Sequence, residues 1–187
     1  MSMPIMIIAG VIVLIALFGV TAFNSLRKLD VGAQEALSGI DVQLTRRADL
    51  IPNLVTTVKG YAAHEKSVFE EVTAARTRLT QAANSGTVED KAQAEARLER
   101  AIGGVLAVAE NYPDLKASAN FLQLQDQLSD TEKQLAFARQ FYNDATSTLN
   151  QRVITFPWLL FAGIAGVSKR AFYRAPETQQ NPPDVSF

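Results

Sequence analysis

Residues 121–156 read FLQLQDQLSDTEKQLAFARQFYNDATSTLNQRVITF, and their spacing decides the fold. Mostly apolar or small side chains recur at alternating steps of three and four, which places them on one face of a helix. The positions on this face are Phe121, Leu124, Leu128, Thr131, Leu135, Ala138, Tyr142, Ala145, Leu149, Arg152 and Phe156. A helix over residues 115–155 is roughly 60 Å long, so its stripe needs partners along the whole length.

Three further apolar stripes have the same spacing, within residues 26–44, 51–79 and 98–112. No convincing strand alternation interrupts them, so we predict an all-α fold. Helices joined by short connections bury such stripes as an antiparallel, up-and-down four-helix bundle with coiled-coil-like seams.

The number of helices depends on Pro52, because the apolar phase passes through this residue without a slip. We predict a true turn here, with Asp49 capping a helix that has Pro52 in its first turn. Without that turn, helices one and two are a single kinked rod, and the chain becomes an elongated three-helix rod.

Two other breaks are marked by turn residues. The triplet at 84–86, NSG, ends one helix with a glycine suited to a left-handed cap, and Thr87 with Asp90 resembles a capping box that starts the next helix. At NYPD, residues 111–114, Pro113 disfavours helical geometry at the preceding residue and predicts a tight turn.

Ahead of these stripes, residues 5–23 read IMIIAGVIVLIALFGVTAF without a charge. The run spans roughly 29 Å as a helix, close to the ~30 Å hydrocarbon core of a bilayer. We therefore predict a transmembrane anchor over residues 1–25, continuing into the bundle. A cleaved signal peptide is the alternative, but MSMP supplies no basic residue for one.

The flanks of this run predict its orientation. No basic side chain precedes it, whereas Arg27 and Lys28 follow it closely. The positive-inside rule then places the N-terminus outside and the bundle in the cytoplasm. We predict a single-pass membrane protein, with the lipid bilayer as its first partner.

After the bundle, predicted over residues 26–156, the chain is apolar again: residues 156–167 read FPWLLFAGIAGV. Twelve residues are too few to span a bilayer as a helix. We interpret residues 157–170 as a membrane-proximal or self-association segment, since an aromatic and basic edge suits a membrane surface. Its candidate contact residues are Phe156, Trp158, Leu159, Leu160, Phe161, Lys169 and Arg170.

The remaining residues, 171–187, are polar and proline-rich. Such a composition cannot bury enough apolar surface to offset the entropy of ordering. We predict a disordered tail here.

The composition excludes several kinds of site. With no cysteine and one histidine, thiolate and histidine-rich metal sites are absent. A net charge of −1 gives no global signal for nucleic-acid binding. The His64–Glu65 pair lacks the third group that catalysis normally needs. We therefore expect no cofactor, no nucleic-acid partner and no enzymatic activity.

Polar residues on or beside the stripes predict a polar layer within the bundle, because a carboxylate on an apolar face survives by pairing. Its candidates are His64, Glu65, Arg76, Arg139 and Asn143. Glu65 would pair with Arg76, Arg139 or Arg152. Outside this layer, we interpret Arg46 and Arg47 as surface ion pairs with Asp41 and Asp49 rather than headgroup contacts.

Several long motifs resemble the LemA family of bacterial membrane proteins. They are IDVQLTRRADLIPNLVTTVKGYAAHE at 40–65, AENYPDLKASANFLQLQDQL at 109–128, ARQFYND at 138–144, the FP pair at 156–157 and NPPDVSF at 181–187. The resemblance implies one N-terminal membrane helix, a short external N-terminus and an antiparallel helical bundle. It implies no established activity.

Together these features favour a membrane-anchored helical scaffold that assembles with itself or with an unidentified membrane protein partner; we expect a homo-oligomer. The alternative function is membrane remodelling or lipid sensing through residues 156–170.

Overall fold

The computed structural model describes residues 3–174. It contains four long helices: α1 (Met3–Lys59), α2 (Lys66–Ser85), α3 (Val88–Ala109) and α5 (Ala119–Ile154). Two single-turn helices, α4 (Pro113–Lys116) and α6 (Leu159–Ala162), complete the order. Residues 3–174 include no strand, so the predicted all-α class is confirmed.

The predicted turn at Pro52 is wrong, because α1 runs through this residue to Lys59. Asp49 therefore caps no helix. The chain turns at residues 60–65 instead, so four long helices are present even though residues 26–59 form one rod with the apolar N-terminal run.

The reason the helix survives Pro52 is a side chain from α2. Proline has no N–H, so the carbonyl of Ala48, four residues earlier, loses its helical partner. The Nε of Arg76 donates a hydrogen bond to that carbonyl at 2.9 Å. The backbone group that Pro52 leaves open is thus satisfied from a neighbouring helix.

The described chain divides into two compact units. Unit 1 contains residues 3–36 and 141–172, and unit 2 contains residues 37–140 and 173–174. In unit 1, the C-terminal part of α5 and the segment after it pack on α1. The core there is Leu26, Ala33, Leu149, Val153, Ala162, Ala165 and Val167.

Unit 2 is a four-helix bundle with up-and-down connections. Its core follows the predicted stripes, with Ile40, Leu44, Ile51, Leu54, Phe69, Val72, Leu79, Leu98, Val105, Phe121 and Leu135 among the buried side chains. Burying these aliphatic and aromatic groups supplies the main stabilising free energy of the unit.

The two predicted helix boundaries around residue 86 differ in outcome. Thr87 and Asp90 form the capping box: the Thr87 hydroxyl accepts from the Asp90 N–H, and the Thr87 N–H donates to the Asp90 carboxylate. Gly86, by contrast, is extended (φ −79°, ψ 158°) rather than left-handed. It is needed for space, since a Cβ there would lie 2.7 Å from the Ala82 carbonyl oxygen.

Candidate functional site

The apolar segment after α5 packs against the N-terminal run of α1 within unit 1. The Phe18 ring lies 5.8 Å from that of Phe161 and 6.4 Å from that of Trp158, measured between centroids. A Cβ on Gly19 would lie 3.1 Å from Phe161 Cε1, so the glycine allows the close approach.

Four other large apolar side chains of this stretch face outward. We call residues 156–164 the tip segment; in it Phe156, Leu159, Leu160 and Ile164 are exposed, Phe156 to 76% and Ile164 to 73%. The predicted contact residues therefore divide into a packed pair, Trp158 and Phe161, and an outward set.

Beyond the tip segment the chain reverses at Gly166, whose φ of +64° is in the left-handed region that favours glycine. It then runs back along unit 1 and is held there by Arg170. The Arg170 guanidinium binds Asp30 at 2.8 and 2.9 Å, and its backbone N–H donates to Asn150 Oδ1 at 2.8 Å. Lys169 stays exposed.

Unit 2 contains a buried polar cluster that shares one residue, Arg139, with the predicted polar layer. Glu95 on α3 lies among cationic and hydroxyl donors: Arg139 pairs with it, Arg47 lies 3.9 Å away, and the Tyr173 hydroxyl donates to Oε2 at 2.7 Å. Glu132 on α5 pairs with both arginines, at 3.2 Å from Arg139. Two cations thus meet two carboxylates, which keeps the cluster balanced.

Burial raises the pKa of Glu95 above its ordinary value, while Arg139 and the Tyr173 hydrogen bond pull it in the opposite direction. Burial and the neighbouring Glu95 carboxylate together raise the pKa of Tyr173. The phenol therefore remains a hydrogen-bond donor to the carboxylate at neutral pH. We interpret the cluster as a set of contacts that hold the helices in one register, and not as a set of catalytic acids and bases.

The position of Tyr173 bears on the predicted disordered tail, residues 171–187. Its side chain is 2% exposed, and the Tyr142 hydroxyl donates to the Ala171 carbonyl at 2.8 Å. Tyr173 of the predicted 171–187 tail is therefore packed rather than disordered, although Ala171, Phe172 and Arg174 beside it are exposed. The prediction for residues 175–187 lies outside the described residues.

The basic pair after the anchor is not paired as predicted. Arg47 is buried in the cluster, and Arg46 faces Asp130 at 3.8 Å rather than Asp41 or Asp49. Asp41 instead pairs with Lys91, whose ammonium also donates to the Ala83 carbonyl at 3.0 Å. These contacts link α1, α2 and α3 within unit 2.

The other residues of the predicted polar layer lie apart from one another and outside the buried cluster. His64 is exposed in the turn before α2, and Glu65 precedes that helix without a side-chain capping bond. Arg76 serves the Ala48 carbonyl. Asn143 is partly buried in unit 1. Of the five candidates, the structure places only Arg139 in the buried cluster of residues 37–140 and 173–174.

Arg152 was predicted as a partner for Glu65, but its guanidinium lies 4.0 Å from the centroid of the Trp158 ring, a cation–π contact. Within residues 3–174, no group of three or more histidine or carboxylate side chains is arranged to hold a metal ion.

The chain is similar in sequence to several known proteins. The LemA family model matches residues 36–187. Magnetosome protein MamQ 2 of Paramagnetospirillum magneticum is 24% identical over 183 residues, covering 86% of this chain and 67% of the relative. Magnetosome protein MamQ of Magnetospirillum gryphiswaldense is 22% identical with the same coverage. Protein LemA of Metamycoplasma hominis is 26% identical over 155 residues, covering 82% of this chain and 69% of the relative.

Proposed function

Because this chain belongs to the LemA family, as its motifs predicted, we propose that it is a membrane-anchored helical scaffold that binds a second copy of itself or a protein partner. The family match, the similarity to MamQ and the apolar run of α1 support a membrane-associated helical protein. Within residues 3–174, α1 is the one helix long and apolar enough to cross a membrane.

The observation that carries the scaffold role is an aromatic side chain on the surface of unit 2. Phe137 on α5 is 68% exposed, although Leu135 and Arg139 beside it are buried. Exposed Lys133 and Gln134 stand one turn away on the same helix. A large aromatic group with a polar rim is typical of a protein-binding hot spot.

The buried cluster supports the same role. Its ion pairs join α1, α3 and α5 inside unit 2, and a buried set of charges favours the packing that keeps each charge next to its partner. A scaffold benefits from such a fixed surface, because a binding face that is already ordered loses less entropy on association. A catalytic step is no part of the proposal.

We further propose that the chain crosses the bacterial inner membrane once, with its N-terminus outside and unit 2 in the cytoplasm. Arg27 and Lys28 after the apolar run support this orientation. The chain has no cysteine, so Ser85→Cys supplies a single thiol at the exposed C-terminal end of α2. A membrane-impermeant maleimide should label this thiol only after the cells are opened. Labelling of intact cells would mean that the orientation is the opposite of the one proposed.

Photo-cross-linking in native membranes tests the scaffold role directly. A photoreactive residue replaces Phe137 in the full chain, and the matched control carries it at Gln134, an exposed position on the same helix. We expect position 137 to give one discrete adduct, either a dimer or a complex with one partner, and position 134 to give a much weaker one. Monomer alone at both positions, over a range of expression levels, would overturn the proposal.

A further inference from the structure

The tip segment reaches the apolar run of α1. Leu149 and Val153 of α5 share a core cluster with Leu26 of α1 and Ala162 of the tip segment, and Trp158 and Phe161 extend from this cluster to Phe18, inside the apolar run. All of these contacts are within unit 1.

The position of Phe18 sets a depth. At 1.5 Å per residue, it lies about 7 Å inside the end of the apolar run at Phe23. Asp30, which binds Arg170, lies about 10 Å beyond that end on the same scale. The chain therefore passes the end of the apolar run in the tip segment, reverses at Gly166 and returns past that end before residue 170.

The outward side chains at this depth are apolar. Phe156, Leu159, Leu160 and Ile164 are all exposed; a contiguous patch of this kind marks an interaction surface. Helix α6 has four residues, which is far too short to cross a bilayer. Such a segment fits the interfacial region of one leaflet.

Cations lie where the lipid phosphates would be. Lys28 follows the end of the apolar run by five residues and is exposed, as is Lys169 on the returning chain. Arg152 covers the Trp158 ring, a pairing suited to the boundary between acyl chains and headgroups. Basic groups at this level are attracted to anionic headgroups.

We propose that the tip segment, residues 156–164, is a second membrane contact that inserts into the leaflet at the C-terminal end of the apolar run, with the lipid bilayer itself as its occupant. Lipid is favoured over a second copy of the chain because the patch continues the exposed apolar surface of α1 at the same depth and has a cationic edge. The inference rests on the anchor part of the proposed function.

Tryptophan fluorescence in reconstituted vesicles provides the test, because Trp158 is the single tryptophan of the chain. Removing it with Trp158→Phe gives a blank background for one reporter at a time in the full chain. Leu160→Trp reports on the tip segment, Ile12→Trp on the centre of the apolar run, and Gln134→Trp on unit 2. The vesicles are phosphatidylcholine with a fraction of phosphatidylglycerol, with or without bromine on the acyl chains.

We expect brominated lipid to lower the emission of the Leu160 reporter by roughly half or more, as for groups buried in an interface, and aqueous iodide to leave it nearly unchanged. The Ile12 reporter should behave likewise, and the Gln134 reporter in the opposite way. Circular dichroism confirms that each variant is helical before it is used.

Three outcomes separate the explanations. Quenching of the Leu160 reporter by brominated lipid at every protein density supports insertion. Quenching by iodide overturns it, as does protection from both quenchers that disappears on dilution, which would indicate a second copy over the patch. If brominated lipid quenches the Ile12 reporter but not the Leu160 reporter, insertion of the tip segment is rejected and the membrane anchor is retained. If it quenches neither reporter, both proposals are rejected.

Discussion

The Nε of Arg76 donates to the carbonyl of Ala48 at 2.9 Å, the carbonyl that Pro52 deprives of its helical partner. Arg76, which was predicted to join a polar layer, thus supplies the hydrogen bond that the backbone of another helix lacks. This contact predicts that substitutions at Arg76 and Pro52 have non-additive effects on the free energy of unfolding.

Arg76→Met should destabilise the chain by about 1–3 kcal/mol, because it leaves a carbonyl without a partner. In a Pro52→Ala background the helix supplies its own N–H to that carbonyl, so the same change should cost much less. Chemical denaturation of the four variants in detergent, followed by circular dichroism, measures the coupling. Equal losses in both backgrounds would contradict the repair role.

The buried cluster predicts a sharp contrast between two cations. Arg139→Met should cost about 3–5 kcal/mol at neutral pH, because it leaves Glu95 without its main partner. Lys116→Met, which removes an exposed ion pair with Glu110, should cost less than about 1 kcal/mol. Unfolding free energies of both variants against the parent provide the measurement.

The same substitution predicts a pH dependence. Burial raises the folded-state pKa of Glu95, so its stabilising contribution is complete below the unfolded-state pKa of about 4.3 and is lost as pH rises through the folded value. Without the opposing Arg139 the folded pKa rises further, and stability should fall more steeply as the pH rises above the unfolded-state value. A pH-independent loss would mean that Arg139 acts through packing alone.

Tyr173→Phe removes the hydroxyl that donates to Glu95. We expect a loss of about 1.5–3 kcal/mol, since hydrogen bonds to charged groups are the stronger ones. Tyr61→Phe, at an exposed position, is the control and should change the unfolding free energy little. The raised pKa of Tyr173 also predicts that its contribution is complete below about pH 10 and is lost above it.

The capping box predicts an acid-side effect. Hydrogen bonds from the Thr87 N–H and hydroxyl lower the pKa of Asp90, so its contribution is present above the unfolded-state pKa of about 3.9 and is lost as pH falls through the folded value. Asp90→Asn should therefore reduce stability at neutral pH, with the deficit shrinking as the pH falls below the unfolded-state value. Thermal unfolding of both chains across this range measures it; a constant deficit would point to lost helix-end interactions other than charge.

Gly19→Leu should push Phe161 away from α1, because even a Cβ there lies 3.1 Å from the ring. The nearby Trp158 should then shift its emission and become more accessible to iodide. Gly10→Leu is the matched control, since nothing lies within 4 Å of a Cβ at that position. An unchanged Trp158 spectrum in Gly19→Leu would mean that the contact is not needed to hold the tip segment.

Much of the fold could be predicted because heptad spacing reports directly on burial. The stripe from Phe121 to Leu149 and the capping box at Thr87 lie where the pattern placed them. Pro52 could not be interpreted correctly from local rules, because the hydrogen bond that compensates for it comes from a residue 28 positions away in the neighbouring helix.

Two members of the buried cluster could have been predicted from their spacing along the apolar stripes. Glu95 stands three residues before Leu98, in phase with its stripe, and Arg47 stands midway between Leu44 and Ile51. Charges in phase with an apolar stripe on different helices are candidates for pairing with each other. Tyr173 gave no such signal, because it lies in an irregular segment where no period indicates which face is buried.

Helix α6 ends after a single turn, so the tip segment occupies area on one side of a bilayer and none on the other. Area added to one monolayer alone makes a membrane bulge toward that side. A crowded patch of these molecules should therefore prefer curved lipid surfaces, whereas a few scattered copies should leave a flat sheet undisturbed.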